Sequence, residues 1–265
     1  MHAFNYHRPS STKDAAALAA KGGDAKLLAG GQSLVQTMKL RLAAPSDLID
    51  LNAIADLKTI KSEGGAVVIG AMARHAEVAA SSEVKKAIPA LAALAGMIGD
   101  RQVRSMGTIG GSIANSDPAA DYPAAVLGLG ATIVTDKRKI EADKFFTGMF
   151  ETALQPGEII TSVSFPVPKR AAYMKFKNPA SRFAIVGVFV AETANGVRVA
   201  VTGAGPNAFR VPEMEKALGA KFAPESVANV KVKADNLNSD LHASAEYRAH
   251  LVTVMAKRAV EAAMK

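Results

Sequence analysis

Two glycine-rich segments carry the residue types best suited to ligand chemistry in this sequence. The first glycine segment is Ala29-Gly30-Gly31-Gln32-Ser33, and the second glycine segment, about eighty residues later, is Thr108-Ile109-Gly110-Gly111-Ser112. Paired glycines let backbone N–H groups approach an anion closely, and the hydroxyl groups of Ser33, Thr108 and Ser112 add further donors. Each segment follows an apolar run and leads into a helix-like or polar stretch, where phosphate groups often bind. Together they predict a dinucleotide lying between the two segments.

Asp121 and three basic residues are further candidates for ligand contact. Asp121 stands at the start of a predicted helix, where it either accepts a hydrogen bond from a ribose or cofactor ring or caps the helix. Lys175, Lys177 and Arg182 cluster in a predicted strand and loop. They either guard an exposed strand edge against aggregation or complement the charge of a reduced cofactor or its phosphates.

A third glycine motif, residues 203–208, has the G-x-G-x-x-A form of a nicotinamide-dinucleotide fingerprint. That fingerprint requires a parallel strand with an acidic residue about 20 residues further on. Lys221-Phe222-Ala223-Pro224 is no buried strand, and the hairpin before the motif makes the local sheet antiparallel. The motif therefore predicts a tight turn. Walker and G-x-S-x-G sequences are also missing, which disfavours phosphoryl transfer and hydrolysis.

Composition excludes several other functions. The chain has 265 residues, with 49% hydrophobic and 21% charged residues, and no apolar run approaches a membrane span. It has no cysteine, so disulfides, thiolate nucleophiles and iron–sulfur clusters on its own thiolates are excluded. Its five histidines lack zinc-site spacing.

The net charge of +8 is spread along a chain with 5% aromatic residues, which indicates an acidic partner or cofactor rather than nucleic acid. Without a signal-like N-terminus, cytoplasmic residence is expected.

The elements that must position these residues form three predicted lobes. Residues 1–52 contain a helix over 12–21 ended by Gly22-Gly23, then a strand, the first glycine segment, a helix from Ser33 that Pro45 stops, and a second strand. Residues 53–168 alternate strands with alanine-rich helices, including one over 122–129 that begins after Asp121. Residues 169–265 contain a hairpin turning at Asn195-Gly196 and a long terminal helix.

Several motifs, taken in order, resemble one protein family. They include residues 28–34 with Met38-Lys-Leu-Arg-Leu42, residues 107–112 followed by Asp117-Pro-Ala-Ala-Asp121, and shorter matches such as Asn5-Tyr-His-Arg-Pro9 and residues 202–206. The chain resembles, over nearly its whole length, the FAD-binding medium subunit of bacterial molybdenum hydroxylases, the family of carbon monoxide dehydrogenase and xanthine dehydrogenase.

The resemblance implies an α+β fold. It comprises a two-lobed FAD-binding domain of the vanillyl-alcohol-oxidase/PCMH type and a C-terminal lobe with a small antiparallel sheet and helices. It also implies one noncovalent FAD that relays electrons to an external acceptor. The molybdenum cofactor and the 2Fe–2S clusters would lie in a large and a small partner subunit, assembled as a dimer of heterotrimers. No side chain of this chain would be catalytic.

The resemblance also implies which residues contact FAD. These residues are Ala29, Gly30, Gly31, Gln32, Ser33, Thr108, Ile109, Gly110, Gly111, Ser112, Asp121 and, with looser alignment, Ile160 and Lys177. The sequence departs from the family at Ser112, where many relatives have asparagine, and in the loop of residues 178–182. These departures leave the reduction potential and the choice of acceptor open.

Two alternatives remain at this stage. One is a stand-alone FAD oxidoreductase of the same flavin fold, which would need its own substrate pocket. The other is a flavin- or nucleotide-binding regulatory module without electron transfer. The lack of catalytic side chains is compatible with the second, although a subunit that only relays electrons explains it equally well.

Overall fold

The N-terminal part folds around a small parallel sheet. The computed structural model describes residues 1–21 and 23–265. The elements of this N-terminal part are β1 (Asn5–His7), α1 (Thr12–Ala19), β2 (Ala25–Leu28), α2 (Leu34–Lys39) and β3 (Asp47–Asp50). The sheet has the strand order β1-β3-β2, with both pairings parallel. This arrangement confirms the predicted strand-loop-helix-strand unit. Gly22, one of the two glycines predicted to end the first helix, lies outside the described residues.

Helix α2 is shorter than the sequence predicts. The spacing of Leu34, Met38 and Leu42 indicates a helix up to Pro45, but α2 ends at Lys39 and Leu42 is exposed. Arg41 adopts a left-handed conformation with φ of 60°. The Leu42 N–H donates to the Thr37 carbonyl at 2.9 Å, and the Arg41 N–H donates to the Met38 carbonyl at 3.1 Å. These two bonds form a Schellman motif, which closes the helix early.

The middle part contains an antiparallel five-stranded sheet with helices around it, and a two-stranded ribbon. The strands of the sheet are β4 (Ile60–Glu63), β5 (Ala66–Gly70), β6 (Thr132–Thr135), β7 (Lys139–Glu141) and β10 (Ile160–Pro166), in the order β4-β5-β10-β6-β7, and the ribbon pairs β8 (Phe146–Gly148) with β9 (Glu151–Thr152). The helices are α3 (His75–Ala80), α4 (Ser82–Ala87), α5 (Pro89–Gly96), α6 (Arg101–Met106), α7 (Ile109–Asn115) and α8 (Tyr122–Gly128). Helix α6 begins within a polar stretch, where the Asp100 carboxylate caps it by accepting from the Val103 N–H at 2.8 Å.

The C-terminal part is an antiparallel four-stranded sheet with three helices. Its elements are β11 (Arg170–Lys177), β12 (Ala184–Thr193), β13 (Gly196–Thr202), β14 (Phe209–Arg210), α9 (Pro212–Ala220), α10 (Pro224–Ala228) and α11 (Ala245–Ala263). The strand order is β11-β12-β13-β14. The hairpin predicted at Asn195-Gly196 is confirmed, and Gly196 has φ of 109°. The tight turn predicted at the third glycine motif is also confirmed, since Gly203 has φ of 82° directly after an antiparallel strand.

Strand β12 joins two hydrophobic cores because successive side chains point to opposite faces of the sheet. Phe189 and Ala191 pack into the core of the middle part, which contains helices α5 and α8. Val188 and Val190 pack on the other face with residues of α9 and α11. The predicted α+β fold, with a C-terminal antiparallel sheet and helices, is confirmed. None of the helices in residues 1–21 and 23–265 combines the length and the apolar character that a membrane crossing demands.

Candidate functional site

A cavity of about 610 Å³ lies where the N-terminal and middle parts meet. We call it the interlobe cavity. Its walls include residues of both glycine segments, Asp121 and Ile160, and one side chain of the C-terminal part, Phe183. This volume is within the range of roughly 300–1,000 Å³ that is usual for cofactor sites.

The two glycine segments contact each other beside the cavity. A Cβ atom on Gly30 would overlap the carbonyl oxygen of Met106 and would lie 2.8 Å from the Cα atom of Gly107. A Cβ atom on Gly111 would lie 3.3 Å from the Cβ atom of Ala29. The structure therefore brings together two segments that are about eighty residues apart, as the dinucleotide prediction requires.

The first glycine segment offers unpaired backbone donors to the cavity. It forms the loop between β2 and α2, and Gly31 has φ of 72°, a conformation that glycine adopts without strain. Within the described residues, the backbone N–H groups of residues 31–34 donate no hydrogen bond. The Ser33 hydroxyl does not cap α2. All four residues line the cavity. Clustered free N–H groups of this kind suit a phosphate or pyrophosphate.

The second glycine segment differs from the expected anion-binding loop. The Gly110 N–H donates to the Ala71 carbonyl at 2.8 Å, the Gly111 N–H to the Thr108 hydroxyl at 3.2 Å, and the Ser112 N–H to the Thr108 carbonyl at 3.0 Å. The backbone of this segment is therefore already paired, mainly because Thr108 caps α7. Gly110 instead permits close packing, since a Cβ atom there would lie 2.5 Å from the Cβ atom of Ala71. The segment presents two hydroxyls to the cavity: within the described residues, that of Ser112 makes no hydrogen bond, and that of Thr108 accepts from the Gly111 N–H.

Of the three remaining residues that were predicted to contact FAD, one lines the cavity and two do not. Ile160 lines the cavity. Ile109 is fully buried in the core of the middle part instead. Lys177 is exposed at the end of β11 and does not belong to the residues that line the cavity.

Asp121 is a buried carboxylate at the cavity wall rather than a helix cap. It makes no capping bond to α8. It accepts hydrogen bonds from the Tyr173 hydroxyl at 2.6 Å and from the Lys175 ammonium at 3.0 Å, and it forms an ion pair with Lys175, whose nitrogen lies 2.9 Å from Oδ1. Burial raises the pKa of the Asp121 carboxyl, and Lys175 and Tyr173 oppose that rise. The Lys175 side chain is 2% exposed, so the interpretation that it guards an exposed strand edge is wrong.

Glu158 is a second buried carboxylate at the cavity, which the sequence analysis missed. It accepts from Arg138 Nε and Nη2, both at 3.0 Å, from the Thr135 hydroxyl at 2.8 Å and from the Gln155 N–H at 2.8 Å. The Arg138 guanidinium and these donors lower the pKa of the Glu158 carboxyl to about 2. Because four donors already use its oxygens, Glu158 shapes the wall of the cavity and has little capacity left for a ligand.

Replacing Glu158 with glutamine is expected to lower the free energy of unfolding by about 2–3 kcal/mol at pH 7, since each unit of pKa shift corresponds to about 1.4 kcal/mol. A carboxyl whose pKa is lowered by folding stabilises the protein above its unfolded-state pKa. That stabilisation is lost as the pH falls towards about 2. Urea unfolding at pH 7, 4 and 3 should therefore show a shrinking difference between wild type and Glu158→Gln. The exposed Glu261→Gln is the control, and a Glu158→Gln difference that is constant over this pH range would contradict the prediction.

His75 also lines the cavity and was not singled out by the sequence. It is 5% exposed, and its ring lies 5.3 Å from the ring of Tyr122 between centroids. Burial, with the nearby charge of Arg104, lowers the pKa of His75 to about 4, so the imidazole is neutral near pH 7. Within the described residues, no group of three or more histidine or acidic side chains is arranged to hold a metal ion.

The fold and the cavity define the class of protein: two parts enclose a cavity whose free backbone N–H groups suit a phosphate-bearing ligand, and an antiparallel sheet with helices follows them. The chain belongs to the family of FAD-binding subunits of molybdenum hydroxylases. Residues 2–168 match the family model described as "FAD binding domain in molybdopterin dehydrogenase", and residues 171–263 match "CO dehydrogenase flavoprotein C-terminal domain". The resemblance seen in the sequence is confirmed, as is the prediction of a flavoprotein subunit of a multi-subunit oxidoreductase.

Individual relatives match over nearly their whole length. The carbon monoxide dehydrogenase medium chain of Hydrogenophaga pseudoflava is 38% identical, with 98% of this chain and 96% of the relative covered. The nicotine 6-hydroxylase medium subunit of Paenarthrobacter nicotinovorans is 37% identical, with 97% and 96% covered. Among solved structures, carbon monoxide dehydrogenase from Hydrogenophaga pseudoflava matches with a TM-score of 0.91 at 38% identity, covering 98% of this chain and 97% of that chain. Quinoline 2-oxidoreductase from Pseudomonas putida 86 matches with a TM-score of 0.90 at 27% identity, covering 98% and 96%.

Proposed function

We propose that this chain holds one noncovalent FAD in the interlobe cavity and relays electrons from the iron–sulfur clusters of a partner subunit to an external acceptor. The observation that carries the proposal is the set of unpaired N–H groups of residues 31–34 at the wall of that cavity, in a chain of an FAD-binding family. Bound FAD supplies the redox chemistry, since a flavin accepts single electrons and delivers one or two. The chain supplies binding, orientation and protection from water.

The proposed contacts follow from the polar groups of the cavity. The N–H groups of residues 31–34 and the Ser33 hydroxyl bind the pyrophosphate, and the Ser112 and Thr108 hydroxyls add donors beside it. Asp121 accepts from a hydroxyl or N–H group of the cofactor. Ala29, Gly30, Gly110, Gly111 and Ile160 contribute close approach and apolar contact. Ile109 and Lys177 are the weakest of the predicted contacts, because one is in the core and the other lies outside the cavity wall.

The substrate is proposed to be selected in another subunit. Two relatives named for carbon monoxide and for nicotine are 38% and 37% identical to this chain, so the similarity does not follow the substrate.

The partners are a large subunit with the molybdenum cofactor and a small subunit with 2Fe–2S clusters, and the assembly is a dimer of heterotrimers in the cytoplasm. Residues 1–52 and 53–168 form the two lobes that enclose FAD, and residues 169–265 form the third lobe.

The test is to titrate the purified chain with FAD and follow quenching of flavin fluorescence. We expect saturation at one FAD per chain and release of the flavin on denaturation. A folded chain that does not bind FAD would overturn the proposal. Purification of the native complex then separates the subunit from a stand-alone enzyme: molybdenum, iron and two further chains should copurify, whereas a flavoprotein active without them would favour a stand-alone oxidoreductase.

A further inference from the structure

We propose that Lys175 and Tyr173 are positioning residues, which act from the C-terminal lobe to hold Asp121 as a fixed hydrogen-bond acceptor for the cofactor. The inference rests on the proposed function, because it requires FAD in the interlobe cavity. Neither residue lines the cavity, whereas Asp121 does. Their influence on the cofactor therefore passes through the Asp121 carboxylate.

The hydrogen bonds of Lys175 show why it acts indirectly. Its ammonium group lies 2.9 Å from Oδ1 and 3.0 Å from Oδ2 of Asp121, and 3.1 Å from the carbonyl oxygen of Met97. It donates hydrogen bonds to Oδ2 and to the Met97 carbonyl, while its distance from Oδ1 is that of an ion pair. Because its side chain is 2% exposed and does not line the cavity, Lys175 does not contact a ligand there directly. It can, however, fix both oxygens of Asp121 and balance the carboxylate charge.

Tyr173 fixes the same carboxylate from a second direction. Its hydroxyl donates to Oδ1 of Asp121 at 2.6 Å. Burial and the neighbouring Asp121 charge raise the pKa of Tyr173, so the hydroxyl keeps its proton as a donor. Gly187, which pairs with Lys175 on β12, makes room for this hydroxyl: a Cβ atom there would overlap the hydroxyl oxygen and lie 2.8 Å from Cζ. The neighbouring strand is thus shaped to accommodate the bond.

The fixed carboxylate gives the cavity two complementary polar features. An ionised carboxylate has about four acceptor positions, of which the Tyr173 hydroxyl takes one on Oδ1 and the Lys175 ammonium takes one on Oδ2. Acceptor positions therefore remain for an occupant of the cavity. A carboxylate repels phosphate and takes a hydroxyl or N–H donor, whereas the N–H groups of residues 31–34 take phosphate. The two features therefore bind different parts of a dinucleotide and fix its direction in the cavity.

A purely structural role for the ion pair leads to a different expectation. Replacing both members of a buried ion pair with neutral residues of similar size often leaves stability unchanged or improves it, whereas removing one member leaves an unpaired charge. If the pair served only to join α8 to β11, a double replacement that preserves folding would also preserve FAD binding. If the pair positions Asp121, FAD binding should suffer while folding is retained.

The experiment compares FAD affinity and thermal unfolding of the full chain without FAD. The double variant Asp121→Asn/Lys175→Met should unfold within a few degrees of the wild type, while its Kd for FAD, measured by flavin fluorescence, rises roughly 10- to 100-fold, the value of one hydrogen bond to a charged group. Tyr173→Phe, which keeps the ion pair, should raise Kd by roughly 5-fold through loss of one positioning bond. Lys216→Met, at an exposed lysine of the same lobe, is the matched control and should leave both quantities unchanged.

The outcomes separate this inference from the proposed function. A wild-type chain that does not bind FAD contradicts the proposed function. A wild-type chain that binds FAD, together with a folded double variant of equal affinity, overturns the positioning role. Should the double variant not fold, Tyr173→Phe decides: wild-type affinity in that variant overturns the inference, and weakened affinity with an unchanged unfolding temperature supports it.

Discussion

Replacing Gly30 with alanine is expected to raise the Kd for FAD by at least about 100-fold, the equivalent of losing one or two hydrogen bonds to a charged group. The added Cβ atom would overlap the carbonyl oxygen of Met106, and its next neighbour is the Cα atom of Gly107. Both are backbone atoms that cannot rotate away. Gly107 is itself fixed by two hydrogen bonds: its N–H donates to the Val103 carbonyl at 2.8 Å, and its carbonyl accepts from the His75 N–H at 2.9 Å. The first glycine segment must therefore move and take the N–H groups of residues 31–34 with it.

Flavin fluorescence titration measures this effect, and thermal unfolding shows whether the variant remains folded. Gly96→Ala is the control, because the nearest atom to its Cβ would be 4.0 Å away and the position lies in helix α5. It should bind FAD as the wild type does. Wild-type affinity in the Gly30→Ala variant would mean that the loop of residues 31–34 does not determine FAD binding.

Replacing Gly203 with alanine is expected to reduce stability by about 3 kcal/mol or more without a direct effect on the cofactor. The left-handed conformation, with φ of 82°, costs a side-chain-bearing residue roughly 1–2 kcal/mol. The Cβ atom would also lie 2.5 Å from the carbonyl oxygen of Ala184 and 2.7 Å from that of Ile185. Gly203 cannot simply change conformation, because its N–H donates to Pro118 at 2.7 Å and its carbonyl accepts from Arg248 at 2.9 Å.

Urea unfolding measures the loss, and Gly219→Ala provides the contrast. Gly219 lies in α9, and outside the backbone of that helix no atom lies within 4 Å of the position that a Cβ atom would take. Alanine there should therefore stabilise the chain by up to about 1 kcal/mol. FAD affinity of the folded Gly203→Ala variant should match the wild type, since the turn is not part of the cavity wall. A Gly203→Ala variant as stable as the wild type would contradict the predicted strain. A stable variant that has lost FAD binding would show that this motif is more than a tight turn.

Local signals in the sequence predicted most of the secondary structure. The Asn195-Gly196 turn specifies its hairpin through two residues, and Pro123 at the first turn of α8 marks where that helix begins. Helix α2 was overestimated because a Schellman motif with arginine in the left-handed position gives no glycine signal. Helix α6 was missed because it has no apolar face: none of its residues is buried.

The site was only partly predictable because its decisive contacts are distant in sequence. The glycine motifs indicated a dinucleotide, but which of the two segments keeps free N–H groups depends on pairing with Ala71, 39 residues before Gly110. Asp121 was recognised, whereas its partners lie 52 and 54 residues further on. One signal for them was present: Tyr173 and Lys175 are two apart on a strand, so they share one face beside largely apolar neighbours.

Strand β12 has a consequence for how the chain holds together. The two family models meet between residues 168 and 171, which invites treatment of the chain as two separable modules. However, Phe189 belongs to the core of the first module, while its neighbours Val188 and Val190 belong to the core of the second. Neither core is complete without the same strand. The boundary between the two family models therefore does not divide the chain into parts that unfold independently. A change that loosens packing on one face of β12 is expected to destabilise the core on the other face as well.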